Sequence, residues 1–175
     1  MMFGKELQIQ LVPSQAHGWN LRKILPVNVW LGISRRVRMS NAGVCIYCEA
    51  KSAHCHEVWE WVVENGLLIQ RLVGLEPVCA DCHDFMHIGR VMVAESKARL
   101  DFIVDRAYEI NNTDPAVMVD YIGMCFNAHA VLSVLPLGDM DLSWVRSDAS
   151  KHIGWNLAEL AYLSDYTSDE PRSVC

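Results

Sequence analysis

The chain predicts an α+β fold in which a metal-stapled β-hairpin is packed by additional helices before and after it. Three observations carry this. Two Cys-x-x-Cys pairs, Cys45-Ile-Tyr-Cys48 and Cys79-Ala-Asp-Cys82, bracket two apolar runs. The runs are joined by Glu64-Asn65-Gly66, and Asn-Gly tolerates the positive φ angles of a tight hairpin turn. Outside them, apolar residues recur at helical spacing. With 175 residues, 51% of them hydrophobic and 21% charged, the chain suits one globular domain and excludes collagen-like, fibrous and wholly disordered classes.

In chain order, residues 7–26 mix Pro13, Gly18 and Pro26 with scattered apolar residues and predict irregular structure laid on a core. Residues 29–39 predict a short helix burying Trp30, Ile33 and Val37 and showing Arg35, Arg36 and Arg38 on its other face. Strands are expected over 53–63 and 67–73, then a helix over 81–88. A longer helix over 91–110 follows, striped by Leu100, Ile103, Val104, Ala107 and Tyr108. Asp114-Pro115 reads as an N-cap and first helical residue. The helix it starts buries Met118, Tyr121, Ile122, Cys125 and Phe126, with His129 extending the stripe. A last helix is expected over 154–164. These elements group as an N-terminal arm with a short basic helix (1–44), a zinc-stapled core (45–90), a helical region of the same domain (91–165) and a disordered tail (166–175).

Residues 121–138 form an 18-residue stretch without Asp, Glu, Lys or Arg, which touches the length of a membrane span. Asn127, His129, Ser133 and Pro136 interrupt it, so an amphipathic helix and a loop are expected instead. The first residues show neither the apolar core nor the cleavage site of a signal peptide. A cytoplasmic protein without membrane contact is the expectation. The net charge of −6 is uneven: residues 1–51 carry +5 and the remainder −11. A local basic arm on an acidic body is compatible with docking phosphate on one face.

Seven cysteines without a secretion signal point to reduced thiols or metal ligands. Two knuckles with two-residue gaps can turn four sulfurs, from Cys45, Cys48, Cys79 and Cys82, towards one tetrahedral zinc, a redox Cys-x-x-Cys or accidental pairs being the other reading. Histidines cluster around this scaffold: His54 and His56 on the first strand, His83 and His87 after the second knuckle. Positions 83 and 87 are one helical turn apart, so both imidazoles can address one ion or one phosphate. On a strand, His54 and His56 share one face while Cys55 and Glu57 share the other.

Cys-x-x-Cys, a strand with a short His motif, a hairpin and Leu-x-x-Val-Cys-x-x-Cys-His-x-x-x-His together resemble the zinc-stabilised HNH endonuclease family. Leu-Val-Pro-Ser, His-Glu-Val-Trp-Glu-Trp, His-Ile-Gly-Arg and Asp-Leu-Ser-Trp add likeness to bacterial and phage HNH-like proteins of unassigned substrate. The resemblance implies a treble-clef, ββα-metal core and phosphodiester hydrolysis of DNA, by cutting or nicking. It places a divalent ion, Mg²⁺, Mn²⁺ or similar, on His56, His83 and His87. Glu57 falls where the family keeps its general-base histidine, and Gly74 where it keeps the asparagine of its name. On this likeness His56, Glu57 and His83 are the catalytic residues, the base being Glu57, or His56 if Cys55 or His54 takes over as ligand. Arg35, Arg36 and Arg38 are the candidates for gripping nucleic-acid backbone. Two alternatives stay open. One is a non-catalytic module binding nucleic acid or a host or partner protein, as a phage or mobile-element factor would. The other is an interaction domain working through its acidic helical half around Trp144 and Trp155.

Overall fold

A long β-hairpin runs through the middle of the molecule, and the computed structural model describes it within residues 5–164. Strands β1 (His54–Glu64) and β2 (Leu67–Val78) pair antiparallel across the Asn65-Gly66 turn. Both turn residues adopt positive φ, 51° and 80°, as the tight reversal requires. The second strand runs past the expected stop at residue 73. Val58 pairs with Gly74 but Trp59 with Leu72, so Val73 is accommodated as a bulge and pairing resumes beyond it. Pro77 also lies inside the strand, opposite Cys55, and its carbonyl accepts from Ile46 N at 3.2 Å.

A third strand, β3 (Leu137–Asp141), lies parallel to the turn end of β2, giving the order β1-β2-β3. The sequence expectation had a loop there. Leu-Gly-Asp-Met-Asp shows no clean alternation, and its pairing is fixed by Leu68 N donating to Pro136 O at 2.9 Å and by the Arg71–Asp141 ion pair at 2.7 Å.

Seven α-helices, among the described residues, surround the sheet. Two precede it: α1 (Leu21–Ile24), N-capped by Asn20, and α2 (Val27–Ser40), which buries Trp30, Ile33 and Val37 as expected. Then come α3 (Ala80–Met86), α4 (Ile88–Ala94), α5 (Lys97–Asn111), α6 (Pro115–Leu132) and α7 (Leu157–Ser164). The helix expected over 91–110 is in fact split, because Ser96 leaves the helical path and caps α5 by accepting from Arg99 N. Asp114 caps α6 through Ala116 N, with Pro115 at the first position.

Two apolar clusters form. One gathers the N-terminal residues Leu7 and Ile9 with α3 to α6 around Phe85, Met86 and Ile103. The other packs α1, α2 and α7 against Leu72 and Leu75 of β2. The α6 stripe is only half-buried apart from Met118, and Val117, Val119, Met124 and Val131 stay exposed. Among the described residues α6 is the one helix long and apolar enough to cross a membrane by length and composition. The tail expected over 166–175 lies outside the described residues.

Candidate metal centres

The two knuckles meet. Cys45 N donates to Ala50 O at 2.7 Å, and Glu49 N to Cys45 O at 3.1 Å, with Glu49 at φ 61°, which folds the first pair into a tight loop. Cys79 is the N-cap of α3, and its sulfur accepts from Cys82 N at 3.4 Å, so the second pair is set by the helix start. Tyr47 inside the first knuckle donates to Glu76 of β2 at 2.6 Å, anchoring the loop to the hairpin.

All four sulfurs lie within 4.8 Å of one another. Cys48 Sγ is 3.5 Å from Cys79 Sγ and 3.7 Å from Cys82 Sγ. A tetrahedral zinc with Zn–S of about 2.3 Å needs sulfurs about 3.8 Å apart, so the cage matches such an ion. Cys45, Cys79 and Cys82 act strongly on one another's thiols. Hydrogen bonds from Cys79 and Cys82 hold the Cys45 thiol far below the usual range, while the bond to Cys45 pushes Cys79 up to about 11 and raises Cys82 further still. An ion in the cage would take the sulfurs as thiolates and release their protons.

A second cluster adjoins the first. His56, His83 and His87 bring ring nitrogens within 4.8 Å of one another. The pleat of β1 turns His56 towards α3, where His83 sits one turn before His87, the residue that ends the helix. Ring centroids are 5.0 Å apart for His56 and His87, 4.7 Å for His83 and His87, and 5.5 Å for His56 and His83. Burial, reinforced by the neighbouring histidines, pushes His83 down to about 3 and His56 well below its ordinary value. Burial also lowers His87, with Arg90 acting the same way. Burial that disfavours the charged ring suits these three imidazoles, facing one another, to act as ligands. The donor set is all nitrogen, which suits zinc, nickel or cobalt; the expected Mg²⁺ or Mn²⁺ prefers oxygen ligands and finds none among these three.

Two further residues complete the surroundings, of which Gln10 was not foreseen. His54, exposed at the start of β1, stacks its ring on His83 at 4.4 Å and 13°. Gln10 of the N-terminal segment places Oε1 3.1 Å from His56 Nε2. Its backbone acts on the His87 ring, favouring the protonated form. Alternation on β1 already put His54 beside His56; no local signal joins Gln10 to a residue 46 positions away.

Glu57 is not at the site. Its carboxylate faces the other side of β1 and accepts from Leu21 N at 2.9 Å and Arg22 N at 3.4 Å, the first turn of α1. Burial pushes it up to about 7, and those backbone bonds oppose the shift. The expected general base is therefore a helix cap. The arginines divide too. Arg36 is committed to Glu159 through two hydrogen bonds of 2.8 and 2.7 Å, and to Ile153 O at 3.1 Å. Arg35 is exposed, and Arg38 lies close enough for its charge to lower His54. Arg90, not foreseen either, acts on His54, His83 and His87 alike and is paired with Asp84. Gly74 stands opposite Val58, whose Cγ2 lies 3.5 Å from where a β-carbon would be.

Comparison with protein-family models, with curated proteins and with solved structures found no match to the chain.

Proposed function

We propose that the chain is a metal-dependent phosphodiesterase acting on nucleic acid, a DNA endonuclease or nickase of the HNH type, with zinc in the cysteine cage as a structural ion. One observation carries the reading: His56 of the hairpin meets His83 and His87 of the helix that follows it, directly beside the four-cysteine cluster. An ion on those three imidazoles would stabilise negative charge on the scissile phosphate and on the leaving 3′ oxygen. The remaining work falls to the chain's own residues. His54 is stacked on His83 and reaches solvent, so one of its ring nitrogens takes the proton of the water that attacks phosphorus as the P–O3′ bond breaks. Arg38 and Arg90, whose charges reach His54, hold the phosphate at the rim.

Nicking of supercoiled plasmid in the presence of zinc, nickel, cobalt, manganese or magnesium tests this. His83→Ala should abolish cleavage, and His54→Ala should slow it about 10²- to 10⁴-fold while the ion is still bound. Unchanged cleavage by His83→Ala would refute the site. If no ion supports cutting of DNA or RNA, the second reading takes over, a non-catalytic module binding nucleic acid or a protein partner. Its specific support is the withdrawal of Glu57 to the α1 cap.

A further inference from the structure

The amino-terminal segment is tied down at several points by groups far away in sequence. Asn111 brackets Leu7, accepting from its N–H and donating to its carbonyl, both at 2.8 Å. Ile9 N donates to the Tyr121 hydroxyl at 2.9 Å, and Gln10 N to Met86 O, one residue before His87, at 2.8 Å. This fixes the backbone of Gln10 against the end of α3 and presents its side chain to β1.

An amide oxygen only accepts, so Gln10 Oε1, 3.1 Å from His56 Nε2, makes a hydrogen bond with the tautomer that carries its proton on Nε2 and its lone pair on Nδ1. Histidines that bind metals commonly carry such an acceptor on the far nitrogen, which sets the tautomer, stops the ring from rotating and raises ligand basicity. His56 is 2% exposed, so its acceptor has to come from within the fold.

We infer that Gln10 is the positioning residue of the three-histidine site: the N-terminal segment supplies the hydrogen-bond acceptor that orients His56 for an ion. The inference rests on the reading of His56, His83 and His87 as a metal site. It gives the segment a task beyond covering the core, since loosening it would weaken ion binding without touching a ligand.

The test is titration of the full chain, its cysteine cage already filled with zinc, with Co²⁺, following the ligand-field absorption of the second ion and its displacement by Zn²⁺. Gln10→Leu keeps the size and loses the acceptor; affinity for the second ion should fall about 10- to 100-fold. Gln10→Glu keeps an acceptor of nearly the same shape and adds charge; affinity should be equal to or above that of the unaltered chain, with a shifted ligand-field spectrum. Equal affinity in Gln10→Leu, or a loss in Gln10→Glu as large as that expected for leucine, would overturn the inference. The glutamate variant decides the matter if the leucine variant does not fold. An unaltered chain that takes up one ion in total would instead remove the metal-site reading itself, and this inference with it.

Discussion

Arg36 and Arg35 are neighbours on α2 with opposite assignments. The Arg36 guanidinium spans to Glu159, whose side chain is 5% exposed and which also accepts from Asn156 N. Arg36→Ala leaves that carboxylate buried without its main partner and should cost about 1–3 kcal/mol, read from urea unfolding, with nucleic-acid affinity little changed. Arg35→Ala should behave in reverse, within about 0.5 kcal/mol in stability but with weaker binding to DNA and a shallower salt dependence. A loss of affinity on replacing Arg36 alone would show that its pairing with Glu159 opens on binding. The sequence pattern could place all three arginines on one helix face but could not tell which was occupied, because Glu159 lies 123 residues away. The same limit hid Gln10. By contrast the cysteine knuckles and the His83–His87 pair were readable, since each is set within one turn of chain.

Elements were readable where their patterns are local and hidden where a neighbour imposes them. The Asn65-Gly66 turn and the Asp114-Pro115 start of α6 carry their own signals. The break between α4 and α5 carried one as well, in Ser96, but the apolar stripe continues across it and masked the cap. Strand β3 had no such signal, and what permits it is Gly138. A β-carbon there would stand 2.7 Å from Ile69 Cδ1 and 3.1 Å from Leu67 Cβ. The isoleucine tip can swing aside, whereas Leu67 Cβ is held by the strand backbone. Gly138→Val should therefore push β3 off β2 and destabilise the chain by about 1–3 kcal/mol, measurable by denaturation and as lost amide protection at Leu68. A neutral effect would mean that β3 adds little to the sheet.

At the scale of the whole molecule, the two clusters should differ in how they respond to metal removal. In the cage, Cys45, Cys79 and Cys82 shift one another's thiols strongly, so an ion there should matter for stability, whereas burial already disfavours charge on the three imidazoles and they should persist without one. Graded chelation should strip the histidine-bound ion first with little loss of helix signal, and the cage ion second with unfolding of the knuckles. Cys82→Ser should reproduce the second stage alone, followed by metal analysis and circular dichroism. Simultaneous loss of both ions at one chelator strength would argue against independent sites.

The anchoring of Leu7 by Asn111 and of Ile9 by Tyr121 also bears on how the molecule is born. A ribosome releases the chain from its amino end, so both knuckles can close once Cys82 has emerged, but the segment holding Gln10 stays without its distant fasteners until α5 and the start of α6 follow. The cysteine cage is thereby free to mature during translation, and the orientation of His56 is completed later, after the strap and its two fasteners exist together.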